Sequence, residues 1–393
     1  MAQPNVAMHL SARIGSKALI REINEALVLD VVRRRGVSSR ADITSLTGLS
    51  PATVTGISNQ LVGEGMLVER DLLRGTGGRP ARLLELGSDA VLAAGVRLSG
   101  DVVDATLVDL RGDVVATATA PLPVTDPDSA AEAVAAAVAE VASGVPAGST
   151  LRGTSIALSG IVDRARGVVR HSGAFDWQDV PFAELVSART GGRVLVDNLV
   201  NSLATGLLLL DDDLMERDII VFSAGASLGV SVLIQGRIHR GNGGAAGGFA
   251  HSALGLRSAS RLCHCGDVGC LETWSSVWGM RRELERRGLD AGDLSSPAGA
   301  EVVRQGGEHL GVAIANAAKM FAPERVVLAL SEELASGDFL DACRASLMRE
   351  YRNGESSAPD LIAIPANGNV FARGAGYDMI TELFSADRSM PPA

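Results

Sequence analysis

Three of the four cysteines in this 393-residue chain fall within one run of eight residues, so the backbone between them must form a tight loop if their side chains meet. The three are Cys263, Cys265 and Cys270, and His251 lies twelve positions before the first of them. Thiolate and imidazole groups on such a loop suit tetrahedral zinc, because Zn²⁺ accepts sulfur and nitrogen donors and imposes no other geometry. The spacing therefore predicts a structural Zn²⁺ site formed by His251, Cys263, Cys265 and Cys270.

Other interpretations of the cysteine run stay open at this point. His264 competes with His251 as the fourth ligand, although a residue between two ligating cysteines usually directs its ring away from their ion. The thiols could instead be free and buried, as isolated cysteines often are. A disulfide is disfavoured, because Cys343 is remote and residues 1–10 lack the basic start and apolar core of a secretory leader. We therefore expect a cytoplasmic protein.

The composition bounds the class of protein. With 46% hydrophobic and 21% charged residues, the chain can bury a large core and is long enough for two or three domains. A membrane span needs roughly 18 or more consecutive apolar residues, and the most apolar stretch, residues 130–145, contains Glu132 and Glu140. We expect a soluble protein without a membrane partner.

The net charge of −10 argues against a general nucleic-acid-binding protein, yet the charge is unevenly distributed. Residues 1–90 contain 11 basic and 9 acidic residues, whereas the remainder contains 25 basic and 37 acidic residues. This asymmetry is compatible with a small DNA-binding domain attached to an acidic body.

The first 90 residues contain the start and stop signals of three helices. Residues 24–35 place apolar side chains on one helical stripe, and the arginines of the last turn favour the helix macrodipole. Ser39 is a predicted N-cap for a helix over residues 40–46, and Ser50 caps the next helix with Pro51 at its first position. This order predicts a helix-turn-helix, although paired helices with a glycine turn also occur in folds that never touch DNA.

The helix after Ser50 has an apolar side and a polar side. Val54, Ile57 and Leu61 recur at helical spacing and are predicted to face the core. The side predicted to face outward carries small and polar residues that suit a major groove, namely Ala52, Thr53, Thr55, Ser58 and Asn59. The expected phosphate contacts are Ser50 and Thr53, and the expected base-edge contacts are Ala52, Thr55 and Asn59.

Two short strands, residues 67–70 and 83–86, are predicted on either side of a glycine-rich segment that contains Arg74 and Arg79. Arginines on a flexible tip can enter a narrow A/T-rich minor groove, where the negative potential is deepest. The alternative is a solvated linker between domains. Together with the helices, the strands predict a winged helix-turn-helix DNA-binding domain over residues 1–88.

From residue 91 onward, β-rich segments alternate with helices, which predicts an α/β body over residues 89–393. A helix is predicted over residues 130–141. Strands are predicted over residues 91–98, 102–110, 114–118, 151–158, 194–196, 219–222, 230–234 and 326–330.

Four motifs resemble those of the ROK family (repressors, open reading frames and kinases), in its long transcription-regulator form related to the N-acetylglucosamine and xylose repressors. They are the cysteine run that ends at Glu272, residues 241–251, residues 49–54 and residues 78–80. The resemblance covers nearly the whole chain. It implies an actin-like, two-lobed sugar-kinase fold with a sugar site in the cleft and zinc beside it.

Three segments depart from what the resemblance implies for nucleotide binding. The loop after the first strand, which holds phosphates in the family's kinases, is Arg97–Asp101 here, and Asp101 stands where phosphates should approach. The second phosphate-side loop is Gly225–Ser231, and the late glycine pair is Ala329 and Leu330. Both carry added side chains where backbone must approach the nucleotide closely. We therefore expect no ATP binding.

The catalytic position departs as well. The family's Asn-Asp pair, whose aspartate accepts the proton of the sugar hydroxyl, is Asn198-Leu199 here, and leucine cannot accept a proton. Asp197 is a poor substitute, because it matches the acidic residue that often precedes the pair. The family's sugar-binding glutamate is Gly248 in this chain. We therefore expect no enzymatic activity.

The candidates that remain for ligand binding are Asn198, His251 and Glu272. Asn198 could equally be a turn or cap residue, and Glu272 could support the zinc loop through hydrogen bonds. A site that lacks two carboxylates would bind an ordinary hexose weakly, because hydroxyl recognition depends on charge-assisted hydrogen bonds. The effector is therefore expected to be unusual or absent.

The leading hypothesis is a DNA-binding transcriptional regulator, specifically a repressor, that binds a double-stranded operator as a homodimer or homotetramer. Its kinase-like body would serve for dimerisation and for sensing a sugar or sugar derivative, with structural Zn²⁺ as the cofactor. One alternative is an ATP-dependent sugar kinase with a regulatory DNA-binding head. Another is a body that acts only as a constitutive oligomerisation scaffold.

Overall fold

The computed structural model describes residues 17–71, 82–210, 214, 217–253, 261–335, 337–352 and 357–384. These residues fall into two compact units. The first unit ends at Ser88 and also includes the residues from Thr381 onward, whereas the second spans Asp89–Ile380. This grouping differs from the prediction for the residues from Thr381 onward, which assigns them to the second domain.

The first unit contains helices and a small antiparallel sheet. Its elements are α1 (Lys17–Arg35), β1 (Ser38–Ser39), α2 (Arg40–Thr47), α3 (Pro51–Gly63), β2 (Leu67–Asp71) and β3 (Arg82–Leu86). The strand order of the sheet is β1-β3-β2. The side chains of Ser39 and Ser50 cap α2 and α3, and Pro51 occupies the first turn of α3. The predicted starts of α2 and α3 are therefore confirmed, whereas α1 begins at Lys17, seven residues before the predicted helix over residues 24–35.

The apolar side of α3 packs into the core of this unit, with Val54, Ile57 and Leu61 all buried. Ser58 is also buried, and its hydroxyl has no hydrogen-bond partner among the described residues. The prediction that Ser58 faces outward is therefore wrong. Ser58 follows Val54 by four residues and precedes Leu61 by three, so helical geometry places it on the buried stripe.

The second unit begins with a mixed sheet and the helices that cover it. Its elements up to residue 210 are β4 (Val91–Leu98), β5 (Val102–Val108), β6 (Val114–Pro121), α4 (Pro127–Ala142), β7 (Thr150–Leu158), β8 (Ile161–Asp163), β9 (Val168–Ser172), β10 (Trp177–Val180), α5 (Phe182–Thr190), β11 (Val194–Asn198) and α6 (Leu199–Leu210). The five-stranded sheet has the order β11-β7-β4-β5-β6, and β8, β9 and β10 form a separate antiparallel sheet. The apolar face of α4 shares one buried cluster with β4 and β5.

A second five-stranded sheet follows in the chain. The remaining elements are β12 (Ile219–Ala224), β13 (Leu228–Ile234), β14 (Arg237–Ile238), α7 (Glu272–Ser275), α8 (Val277–Arg286), α9 (Pro297–Phe321), β15 (Arg325–Leu330), α10 (Gly337–Glu350), β16 (Asp360–Pro365) and α11 (Gly368–Thr381). The strand order is β14-β13-β12-β15-β16, in which β12, β15 and β16 are parallel. Two sheets flanked by helices agree with the predicted α/β class.

Close contact between α9 and α10 depends on glycine. A Cβ atom at Gly307 would lie 2.2 Å from the carbonyl oxygen of Phe339, and one at Gly311 would lie 2.3 Å from that of Cys343. No residue with a side chain fits at these positions without moving the backbone. The two helices can therefore bury Phe339 and Cys343 completely at their interface.

None of the helices in the described ranges combines the length and the apolar character needed to cross a lipid bilayer.

Candidate functional site

The structure brings the side chains of His251, Cys263, Cys265 and Cys270 together, with one donor atom of each within 4.8 Å of the others. The Sγ atoms of Cys265 and Cys270 are 3.7 Å apart, and the Sγ of Cys263 lies 3.6 Å from Nδ1 of His251. Around a tetrahedral zinc with bonds of about 2.3 Å to sulfur and about 2.0 Å to nitrogen, these separations would be about 3.8 Å and about 3.5 Å. The four residues could therefore hold a metal ion.

The loop that carries the cysteines is closed by its own backbone. Leu262 and Val268 form an antiparallel bridge, and the amide of Cys263 donates a hydrogen bond to the carbonyl of Asp267 at 2.8 Å. Gly266 has a φ of +88°, a left-handed conformation that favours glycine. These contacts close a short hairpin, which brings the three cysteines of the loop near one another.

His251 is supplied by a separate segment, at the end of a short 3-10 helix over Gly248–His251. A glycine-rich turn precedes this helix. Cβ atoms at Gly244 and Gly247 would lie 1.8 Å and 2.2 Å from backbone carbonyl oxygens, so only glycine permits the turn to pass there. The turn thus determines where His251 is held.

His264, the competing ligand, is not part of the cluster of donor atoms. Its ring packs edge-on against Trp278, with 4.8 Å between the ring centroids. The centroid of the His251 ring lies 5.6 Å from that of His264. Of the two histidines, the structure therefore favours His251 as the fourth ligand.

Burial shifts the protonation equilibria of three donor groups in the cluster. It raises the pKa of the Cys270 thiol to about 11, raises the pKa of Cys263 well above its usual value, and lowers the pKa of His251. Both buried thiols are therefore neutral near pH 7 unless a cation stabilises their thiolates. Metal binding here would release protons and would become tighter as the pH rises.

Glu272 lies two residues after Cys270, at the start of α7, and is only 1% exposed. Its Oε2 accepts a hydrogen bond from the amide of Leu228 at 2.9 Å, whereas Oε1 has no hydrogen-bond partner among the described residues. Burial raises the pKa of Glu272 to about 7. An unpartnered buried oxygen is energetically costly, so Oε1 is a suitable contact for a polar ligand group.

Asn198 caps α6. Its Oδ1 accepts a hydrogen bond from the amide of Val200 at 2.9 Å, and its Nδ2 donates to the carbonyl of Gly160 at 2.7 Å. Of the two roles considered for this residue, the cap is the one that its contacts display. A ligand could use only the second hydrogen of Nδ2 and the second lone pair of Oδ1.

Asp197, the residue before Asn198, is 2% exposed and already bonded on both oxygens. Oδ2 accepts two hydrogen bonds from Arg240, at 2.6 and 2.8 Å, and Oδ1 accepts from the side chain of Asn201 at 2.8 Å. The importance of Arg240 is not apparent from the sequence, because 43 positions separate it from Asp197. Leu199 occupies the first position of α6 and offers no polar atom in its side chain.

The candidate DNA-contacting residues belong to the first unit. Ala52, Thr55 and Asn59 are exposed on α3, and Ser50 is exposed just before it. Thr53 is half-buried. Arg74 and Arg79 lie outside the described residues.

Three of these side chains already make local hydrogen bonds. Oγ of Ser50 accepts from the amide of Thr53 at 3.1 Å, and the two hydroxyls are 2.8 Å apart. The hydroxyl of Thr55 donates to the carbonyl of Pro51 at 2.8 Å. The hydroxyl groups at the start of α3 are thus held in fixed positions, which suits them for contacts with the phosphate backbone or a base edge of DNA.

Comparison with known proteins places this architecture in a family. The family model described as "ROK family" matches residues 93–376. The chain is 25% identical to a xylose repressor of Caldicellulosiruptor bescii over 84% of its own length and 88% of that protein. It is 28% identical to the DNA-binding transcriptional dual regulator NagC of Escherichia coli K12, over 81% of this chain and 82% of NagC.

A solved structure agrees with these relationships. The crystal structure of a ROK family transcriptional regulator, described as a homologue of the E. coli MLC protein, superposes with a TM-score of 0.76 at 22% identity. The match covers 94% of this chain and 98% of that chain. The chain belongs to the ROK family and has its α/β fold, so the family predicted from the motifs is confirmed.

Proposed function

We propose that this chain is a DNA-binding transcriptional repressor, in which the first unit is a winged helix-turn-helix domain and the second is a sugar-kinase-like body without enzymatic activity. The observation that carries the proposal is the exposed polar side of α3, a capped helix whose opposite side is buried. Similarity to a xylose repressor and to NagC, over 84% and 81% of the chain, supports the same function.

In this proposal, α3 enters the major groove of a double-stranded operator, and the segment between β2 and β3 approaches the minor groove. The chain acts as a homodimer or homotetramer in the cytoplasm, because helix-turn-helix proteins commonly read two-fold related half-sites. The proposed base contacts are Ala52, Thr55 and Asn59, the proposed phosphate contacts are Ser50 and Thr53, and the proposed minor-groove contacts are Arg74 and Arg79.

The metal of the second unit is proposed to be Zn²⁺, since three thiolates and one imidazole match the ligand preference of that ion. When bound, it would supply a structural cross-link between the cysteine loop and the segment that ends at His251. Glu272 follows the last ligand, Cys270, by two residues. A rigid loop would therefore also fix the carboxyl group of Glu272.

A sugar or sugar derivative is the proposed effector, with Asn198, His251 and Glu272 as its contacts. The unpartnered Oε1 of Glu272 supports this assignment, because a ligand hydroxyl would satisfy an otherwise buried acceptor. An effector can regulate DNA binding only if its affinity differs between the DNA-competent and DNA-incompetent states. Equal operator affinity with and without a panel of sugars and sugar phosphates would exclude a sensing role.

The proposal is tested by enriching bound duplexes from a random-sequence pool with the full-length chain. The Kd of the enriched duplex and of an unrelated duplex is then measured at several salt concentrations. We expect the enriched duplex to bind at least about a thousandfold more tightly, with log Kd varying linearly with log salt. A pool from which no sequence is enriched would contradict the proposal.

A matched pair of threonine variants makes the test specific for α3. Thr55→Ala should reduce the ratio of the two affinities, because it removes a proposed base contact. Thr117→Ala, at an exposed position of β6 in the second unit, should leave the ratio unchanged. If both variants keep the wild-type ratio of the two affinities, Thr55 does not contact a base.

A further inference from the structure

One arginine joins the exposed side of α3 to the strand that follows it. Arg40 is the first residue of α2. Its Nη2 donates a hydrogen bond to Oδ1 of Asn59 on α3 at 2.9 Å and to Oε1 of Glu69 on β2 at 2.6 Å. Three elements of the first unit are thus connected through a single guanidinium group.

The carboxylate of Glu69 holds the guanidinium group of Arg40 in place. The side chains of Arg40 and Glu69 are 23% and 25% exposed, so water competes only partly for their hydrogen bonds. Glu69 also accepts from Arg82 on β3 at 2.7 Å through its other oxygen. Hydrogen bonds from Arg40 and then Arg82 lower the pKa of Glu69, so this carboxylate stays ionised at neutral pH.

The chemistry of arginine fixes the orientation of the Asn59 side chain. A guanidinium group only donates hydrogen bonds, so the carboxamide must turn its oxygen and not its nitrogen toward Arg40. Nδ2 of Asn59 then keeps both hydrogens, and no partner for them exists among the described residues. Since Asn59 is exposed, these two donors are available to a molecule that binds α3.

We propose that Arg40 is a positioning residue for base recognition: it holds the Asn59 carboxamide so that the Nδ2 hydrogens meet acceptor atoms of a base edge. Such acceptors in the major groove are N7 of a purine, O6 of guanine and O4 of thymine. The inference rests on the proposed DNA-binding function and assigns a specific role within it. Arg40 itself would act through Asn59, without touching the base.

The test compares substitutions that keep or lose the donor-only character of the side chain. Arg40→Lys retains a cation that can only donate, whereas Arg40→Gln offers both a donor and an acceptor and so lets the Asn59 carboxamide flip. Kd is measured for the duplex enriched by the wild-type chain and for its single-base variants. We expect Arg40→Gln to lose roughly tenfold in discrimination at one base position, and Arg40→Lys to retain most of it.

A double-mutant cycle separates positioning from a general effect on the fold. In an Asn59→Ala background, Arg40→Gln should cause no further loss of discrimination at that position. The contacted base can also be replaced, either by a 7-deaza purine or by a thymine or guanine analogue without the oxygen. Wild type and Arg40→Gln should then bind the modified duplex with the same affinity. A loss of discrimination that persists in the Asn59→Ala background would overturn the inference.

Arg21→Ala is the matched control. Arg21 is exposed and donates to the side chain of Gln60, the neighbour of Asn59 on α3, so its removal also deletes one charge and one contact with this helix. We expect unchanged discrimination for Arg21→Ala and similar thermal unfolding for all variants. A wild-type chain that enriches no sequence overturns both proposals. Specific binding with equal discrimination by wild type and Arg40→Gln overturns this one alone.

Discussion

The four candidate metal ligands differ in accessibility, and this determines which substitution tests them cleanly. Cys263 and Cys270 are buried, so replacing either one would also disturb the packing of the loop. Cys265 is exposed, so replacing its sulfur by the smaller oxygen of serine leaves no enclosed cavity. An effect of Cys265→Ser on stability would therefore report mainly on the metal.

We predict that Cys265→Ser lowers the zinc content of the purified chain from about one ion per chain to nearly none, and lowers its thermal stability. Metal analysis by mass spectrometry and thermal unfolding measure the two effects. His251→Ala should behave in the same way, whereas His264→Ala should retain the metal. Cys343→Ser, which removes a remote buried thiol, is the control for metal content. Full zinc occupancy in Cys265→Ser would refute the site.

At the scale of secondary-structure elements, Arg261 connects the start of the cysteine loop to α7 and α8. The guanidinium carbon of Arg261 lies 3.4 Å from the ring centroid of Trp274 in α7, and Nη1 donates to the carbonyl of Thr273 at 3.0 Å. Nη2 lies 3.4 Å from Oε1 of Glu283 in α8. The cation–π contact and the ion pair hold the start of the loop independently of any metal.

Glu283 makes the stability of this region dependent on pH. Hydrogen bonds from Arg286 and Arg287 lower the pKa of this 2% exposed carboxyl group from 4.5 to about 2. Because the folded-state pKa is depressed, the carboxylate stabilises the fold fully above about pH 4.5, and this stabilisation is lost as the pH falls toward 2. Its contribution at neutral pH is on the order of 3 kcal/mol, because one pKa unit corresponds to about 1.4 kcal/mol.

We therefore predict that Glu283→Gln is less stable than the wild type at pH 7, and that the difference shrinks as the pH is lowered from 5 to 3. Urea unfolding at a series of pH values measures it. Glu285→Gln is the matched control, since Glu285 lies on the same helix and its ion pair with Arg282 is exposed. A difference between Glu283→Gln and wild type that does not change with pH would contradict the role of this carboxylate.

Local signals predict α2 and α3 of the first unit and eight strands of the second, but they miss α5 to α11 and do not predict contacts between elements. The caps at Ser39 and Ser50 depend only on residues within three positions, so a single sequence reveals them. The close packing of α9 on α10 depends on glycines that face a backbone distant in sequence, and nothing local to Gly307 indicates it. The prediction for Ser58 is wrong because it follows the polarity of serine and not the position of this residue on the buried helical stripe.

The candidate sites likewise contain features that the sequence predicts and features that it does not. The cysteine run is predictable because ligand chemistry and spacing lie within one short segment. The bonds of Asn59 to Arg40 and of Asp197 to Arg240 join residues that are 19 and 43 positions apart. A single sequence contains no signal for such pairs, so only the structure could show that Oδ1 of Asn59 and Oδ2 of Asp197 already accept hydrogen bonds from arginine.

At the scale of the whole second unit, an ionic network with buried carboxylates and partly exposed arginines joins residues of its two five-stranded sheets. Asp197 is the last residue but one of β11 in the first sheet, and Arg240 follows β14 of the second. Arg164 lies 3.6 Å from Asp197 and also pairs with Asp378 of α11. Removing either arginine would leave a buried carboxylate of Asp197 or Asp378 without its full compensation, so the network holds these elements together only while it is complete.

This network also bears on phosphoryl transfer. A general base needs a free carboxylate oxygen near the hydroxyl that it deprotonates. Asp197 has none to spare, because Arg240 occupies Oδ2 and the amide of Asn198 and the side chain of Asn201 occupy Oδ1. In the segment Arg97–Asp101, Arg97 donates to Asp104 at 2.7 Å, so its charge is already compensated within the protein.

We predict that the chain transfers no phosphate from ATP to hexoses or amino sugars, and that Leu199→Asp alone does not create this activity. The new carboxylate would supply a base, but the segments Arg97–Asp101 and Gly225–Ser231 would still carry side chains where a backbone must approach phosphates closely. Release of labelled ADP and formation of sugar phosphate measure the activity, with Leu199→Asn as the uncharged control. Robust turnover by the wild type that disappears in Asp197→Asn would contradict this prediction. It would show that Asp197 acts as a catalytic base despite its four hydrogen bonds, and that the chain is a sugar kinase.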